Sequence, residues 1–164
     1  MKSSDKKEIR PSILDRLIDH EPHIIVEAIA TRSHYLRELR SSVKRDIENL
    51  LNTRYRMVSP PSHLTQLDKS LLNYGLPDLS TVNMLDLDKR REFIKQLENT
   101  LTQYEPRFKS IRIQYVENKE NTDRSLRFRI NATLYADPAP EVIVFDSILD
   151  PVLRTVKVKE SPYG

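Results

Sequence analysis

The chain has 164 residues, 38% hydrophobic and 31% charged, with a formal net charge of +3; that is enough for one domain with a real core and too short for two. Cysteine is absent and there are 2 glycines, which excludes disulfide frameworks, thiolate zinc sites and cysteine catalysis and leaves little room for phosphate-cradling loops. No stretch approaches the roughly 18 apolar residues that cross a bilayer, and residues 1–10 carry alternating charge rather than a signal-peptide core, so the expectation is a soluble, cytoplasmic protein with no direct membrane insertion.

Residues 1–32 read as an N-terminal arm. Within it Ser12 is placed to cap a short helix, and Ile13, Leu14, Leu17 and Ile18 make one apolar stripe. Two turns are short for core packing. A partner-binding arm and a segment folded back onto the core both fit.

The first long helix is expected over His34 to Asn52, capped by Ser33, with Leu36, Leu39, Val43, Ile47 and Leu50 on one face. A shorter helix is expected over Gln66 to Tyr74, opened by a Thr65/Asp68 capping box and closed by Gly75 and Pro77. A third begins near Asp86 or Asp88, carries Ile94, Leu97, Leu101 and Tyr104, and must stop before Pro106.

After Pro106 the period changes from about four to two. Ile111, Ile113 and Tyr115 alternate with polar residues, as do Leu126, Phe128, Ile130, Ala132 and Leu134, with a polar turn between them. This predicts an antiparallel hairpin with one wet face. Further extended runs are expected at Glu141–Phe145 and Val152–Val158. Helices first and an antiparallel or mixed sheet afterwards predict an α+β fold, a single domain over residues 33–160 and a short tail over 161–164.

Chemistry is hard to find. His20 and His23 share a spacing suited to a metal, but Pro22 disfavours the helix that would align them and no third ligand is near, so no metal site is expected. Among 24 acids some pair will always lie at a hydrolytic spacing; without Trp or glycine-rich loops beside them, no catalytic residue stands out, and no cofactor is expected. The densest basic cluster, Lys89-Arg90-Arg91, is flanked by Asp86, Asp88 and Glu92. A nucleic-acid binder gathers positive charge on one face, so no nucleic-acid partner is expected.

Glu105-Pro106-Arg107 lies where the last helix becomes the first strand. Proline fixes the backbone there, and the flanking charges are expected to project from a rigid corner, where Arg107 can make a bidentate contact with a partner. Pairing of Arg107 inside the fold with a carboxylate, Glu105 itself being one candidate, fits equally. At the other end of the chain, the extended region over about Glu141 to Val158 fits a sheet edge whose backbone can accept another chain, and it also fits a pair of strands that complete the domain's own sheet; the alternating Val156-Lys157-Val158-Lys159 suits the edge. The lysines would discourage stray pairing while Val156 and Val158 fill partner pockets.

Several segments resemble one family when taken in order: Arg10-Pro-Ser-Ile-Leu-Asp-Arg-Leu17, Val43-Lys-Arg-Asp-Ile-Glu-Asn-Leu-Leu-Asn-Thr-Arg54, Ser70-Leu-Leu-Asn-Tyr-Gly-Leu-Pro-Asp78 and Glu105-Pro-Arg-Phe108. The pattern is similar to the TssE family of baseplate subunits of bacterial type VI secretion systems, related to the wedge protein of contractile phage baseplates. The likeness covers about residues 10–108 and continues more loosely through Phe145-Asp-Ser-Ile-Leu-Asp150. The resemblance implies a structural role: joining the TssF–TssG wedge, with TssK as a further candidate partner, and starting the TssB–TssC sheath, in a cytoplasmic baseplate docked at the inner membrane. It also implies that Glu105, Pro106 and Arg107 are wedge-binding residues. A lysozyme label attached to the wedge relatives supplies the competing reading, a peptidoglycan-cleaving muramidase, which would need export and a carboxyl with a raised pKa.

Overall fold

The computed structural model describes residues 12–18, 22–23, 31–54, 61, 63–64, 66–67, 70–77, 86–118, 125–136 and 139–161. Helix α1 is one short turn, Ile13–Leu17, opened by a reciprocal capping box: the Ser12 hydroxyl accepts from the Asp15 N–H, and the Asp15 carboxylate accepts from the Ser12 N–H. Helix α2 spans Arg32–Asn52. It starts two residues before the predicted His34, and the residue at its cap is Thr31, not Ser33. The Thr31 carbonyl already accepts from the N–H groups of His34 and Tyr35 at 3.0 and 3.1 Å, while the Ser33 hydroxyl is engaged with Thr31 Oγ1.

The helix expected over Gln66–Tyr74 is not an α-helix. Residues 66–67 and Leu71–Asn73 form separate 3-10 turns, and Thr65 and Asp68, the expected capping pair, lie outside the described residues. Ser70 is responsible for the second turn. Its hydroxyl donates back to the Leu67 carbonyl at 2.7 Å and accepts from the Leu72 N–H at 3.3 Å, so local bonds replace the i→i−4 ladder. Gly75 follows at φ +112°, where a Cβ would sit 2.3 Å from the Thr53 carbonyl oxygen. Only glycine lets this strand of chain lie against the end of α2, where the Leu76 N–H donates to that same carbonyl at 2.8 Å.

Helix α3, Leu87–Tyr104, begins as the sequence predicts, with the Asp86 carboxylate accepting from the N–H groups of Asp88 and Lys89. It ends at the residue before Glu105. The sheet is an antiparallel meander, β1 (Phe108–Val116), β2 (Leu126–Leu134), β3 (Glu141–Asp150) and β4 (Thr155–Glu160), in that spatial order. The fold is α+β. The two final strands differ from expectation at their ends. β3 runs five residues past Phe145, and Val152 and Leu153 belong to the turn. There the Asp150 carboxylate accepts from both their N–H groups, and Arg154 takes a positive φ of 54° before β4 begins.

Alternate residues of each strand face α2 and α3. The inward set includes Phe128, Ile130, Leu134, Ile143 and Phe145, closed from above by Val43, Ile47, Phe93, Leu97 and Leu101. Each such side chain contributes about 1.5–3 kcal/mol on burial. Val156 and Val158 belong to this core, each 2% exposed. The expectation that these valines fill partner pockets is therefore overturned: strand alternation turns them inward, and Lys157 and Lys159 outward.

Candidate joint and strand edge

The turn after α3 is built so that its charges point in. Glu105 is 5% exposed. Its carbonyl accepts from the Phe108 N–H at 3.2 Å, and its Oε1 accepts both the Arg107 N–H at 3.1 Å and Arg107 Nε at 2.6 Å. Arg107 Nη2 completes a bidentate pair with Glu105 Oε2 and reaches Asp46 Oδ2 at 2.7 Å. On the far side, the Arg107 carbonyl accepts from the Tyr135 N–H at 2.9 Å, tying the corner to the end of β2. Of the two readings of Arg107, pairing inside the fold is the one observed: the two charges do not project outward, and of the three residues Pro106 is the exposed one. Burial works against the guanidinium's charge, yet hydrogen bonds and attraction from Glu105 and then Asp46 outweigh it and hold Arg107 above its ordinary range.

The corner does not stand alone. Arg107 Nη1 donates to Ser42 Oγ at 3.0 Å, and Ser42 Oγ donates to Asp15 Oδ2 at 2.5 Å. Arg45 Nη2 then donates to Asp15 Oδ1 at 2.7 Å and to Asp46 Oδ1 at 3.2 Å. Asp15, Ser42, Arg107, Asp46 and Arg45 thus form a closed ring of side chains joining α1, α2 and the corner. Burial alone would raise the Asp15 pKa. Hydrogen bonds from Ser12, Ser42 and Arg45, with the charge of Arg45, overturn that and depress it well below the usual carboxylate range.

This ring fixes what α1 shows to solvent. Ile13 and Leu17 are each 77% exposed, and Leu14 and Ile18 are exposed as well. The stripe does not enter the core; the polar side of α1 docks and the apolar side is left free. Nearby, Tyr104 donates to the Ser70 carbonyl at 3.0 Å and meets Tyr74 edge-on at 5.3 Å. That holds the 3-10 turn carrying exposed Leu71 and Leu72 against the last turn of α3.

The second candidate is the outer edge of β4, which pairs with β3 alone. Its outward backbone groups meet α2. The Val156 N–H donates to Asn52 Oδ1 at 2.8 Å, Asn52 Nδ2 donates to the Val156 carbonyl at 2.9 Å, and the Val158 N–H points at Glu48 Oε1 at 3.4 Å. At the opposite edge, the Ile113 N–H of β1 donates to Glu98 Oε1 of α3 at 2.7 Å.

Sequence reasoning located the corner, the stripe and the edge strand, but missed Asp15, Ser42, Arg45, Asp46 and Asn52. The spacing of Ser42, Arg45 and Asp46 at i, i+3 and i+4 marks one helix face and was the available signal. Among the described residues no group of three or more metal-ligating side chains is assembled, and no helix is long and apolar enough to cross a membrane. Residues 37–139 match the family model described as baseplate wedge protein gp25. That span covers α2 from residue 37 onward, α3, the corner, β1 and β2. No curated protein and no solved structure gives a match.

Proposed function

Because the chain belongs to the gp25 baseplate wedge protein family, we propose that it is a non-catalytic joint of a type VI secretion baseplate. Residues 1–32 act as an arm on a single domain of residues 33–160. The arm stripe (Ile13, Leu14, Leu17 and Ile18) and the rim of the Glu105-Pro106-Arg107 corner meet the TssF–TssG wedge, with TssK as a further partner. The β4 edge meets the first ring of the TssB–TssC sheath through its backbone, with Val156 and Val158 inside. The assembly is cytoplasmic and docks at the inner membrane.

One observation carries this reading. A helix too short to bury itself is pinned by its polar side, beside a corner whose half-buried arginine is paired with a buried glutamate, with its four apolar residues facing out. An anchored helix that leaves its apolar side uncovered has lost its freedom before any partner arrives. That is the preorganisation a docking element uses to lower the entropic cost of binding.

The decisive experiment is capture of the wedge proteins by the full chain and by Leu14→Asp/Leu17→Asp. The variant keeps its melting temperature, since both side chains are already in water, and loses TssF–TssG. Unchanged capture would remove the arm from the interface. For the non-catalytic part, purified protein releases no sugar fragments from peptidoglycan above background between mildly acidic and neutral pH. Turnover abolished by replacing a single carboxylate would restore the muramidase reading.

A further inference from the structure

The side chain of Asn52 occupies the position of a neighbouring strand. Its carboxamide offers Oδ1 to the Val156 N–H at 2.8 Å and Nδ2 to the Val156 carbonyl at 2.9 Å. An added antiparallel strand makes that same donor–acceptor exchange with one residue of an edge. Asn52 is exposed, stands at the C-terminal residue of α2, and steadies its Nδ2 with a second bond to the Glu48 carbonyl at 2.8 Å. Glu48 Oε1, one helical turn earlier, lies over the next outward N–H, that of Val158.

We propose that Asn52 is a latch on the β4 edge: it pairs with the Val156 backbone until an extended segment of another chain displaces it. The proposal rests on the reading of β4 as the strand-accepting edge and adds how that edge is kept shut. Both edges have a carboxylate over an outward N–H, Glu98 on β1 and Glu48 on β4, but β4 also has a neutral amide that both donates and accepts. Glu98 caps β1 with an acidic group that can only accept, and the charge strengthens its bond to the Ile113 N–H. Asn52 is neutral, and both of its bonds to Val156 are replaced in kind by an incoming peptide, so the exchange conserves hydrogen bonds. A bare edge of this sheet would invite pairing with any exposed strand; a latched one yields only to a segment that also gains contacts elsewhere.

The test uses the full chain, its Asn52→Ala and Asn52→Asp variants, and purified TssB–TssC as the probe, reading affinity and amide exchange at Val156 in the complex. Asn52 is exposed, so both variants fold with unchanged circular dichroism. Free Asn52→Ala exchanges its Val156 amide faster than the parent. It binds the sheath subunits about three- to tenfold more tightly, the effect of no longer breaking two neutral hydrogen bonds. Asn52→Asp keeps the acceptor for the Val156 N–H and loses the donor, so it exchanges as slowly as the parent and binds with an intermediate gain or less. Protection of Val156 in every complex, with equal affinity for parent and Asn52→Ala, overturns the latch and leaves the edge reading intact. No protection of Val156 in any complex overturns both.

Discussion

The corner and the β4 edge are both closed by side chains of α2, yet they are closed in opposite ways. At the corner, Arg107 is held by Glu105, Asp46 and Ser42, three partners from two elements, and Glu105 is almost wholly buried. At the edge, one exposed neutral amide holds both the N–H and the carbonyl of Val156, and Glu48 adds a long contact to the Val158 N–H. Removing a member of the first leaves a charge without a partner in a low-dielectric setting, which is expensive. Removing the second exposes a peptide group that water can reach, which costs little. A joint that has to stay rigid and an edge that has to open call for these two solutions, and a single helix supplies both.

The sharpest way to break the contrast is Arg107→Ala. It should lower stability by about 3 kcal/mol, because Glu105 is left buried without its counter-charge; a chemical-denaturation midpoint checks this. A loss below about 1 kcal/mol would make the corner an ordinary surface pair. Gly75→Ala comes next, at on the order of 2–3 kcal/mol, since its φ of +112° and the Thr53 carbonyl both oppose a Cβ. This change strains the end of α2 beside Asn52 and leaves the corner untouched. It should therefore speed amide exchange at Val156 more than at Phe108, whose N–H is held by Glu105.

Asp15→Asn opens the ring at the arm and should cost about 1 kcal/mol of overall stability, while making Ser12–Ile18 readily cleaved in limited proteolysis. The same carboxylate gives a pH signature. Its folded pKa lies below the ordinary value of 3.8, so its contribution is complete above that value. As the pH falls through 3.8 and below, the unfolded chain takes up the proton first and the contribution is lost. Arm protection should hold from neutral pH down to about 4 and decline progressively below it, and Asp15→Asn should flatten that dependence. Smallest is Asn52→Ala, under about 1 kcal/mol in stability; a loss as large as that of Arg107→Ala would erase the distinction between joint and latch.

Much of the architecture was legible because it rests on short-range rules. Asp86 before α3, the stop at Pro106 and the two-residue period of β2 each act over a few residues, and the structure has them where the sequence reading put them. The 66–74 segment misled because its apolar spacing suits a helix, while the Ser70 hydroxyl offers the backbone other partners. The corner is legible by its letters, but they leave its direction open between an outward contact and an inward pairing, and the structure has the inward one. Whether Glu105 and Arg107 face water is decided by Asp46 and Ser42, about sixty residues away in sequence, and local reading has no access to that. The face taken by the valines of β4 is hidden from local reading for a related reason. A period of two separates two faces without saying which one the helices cover.

The closed ring has a consequence for how this sequence can drift. Ser42 has one hydroxyl hydrogen, given to Asp15, so it can only receive from Arg107. Each arginine answers two acids, and Asp15 and Asp46 are each answered by two donors in the ring. A single exchange at positions 15, 42, 45, 46 or 107 therefore leaves two neighbours mismatched, whereas a matched pair of exchanges can restore the circuit. Across related chains these five positions should change as a set, with 15 tracking 42 and 45 and 107 tracking 42 and 46, so that a statistical link between the arm and the corner would be visible in sequence even though the two lie some ninety residues apart.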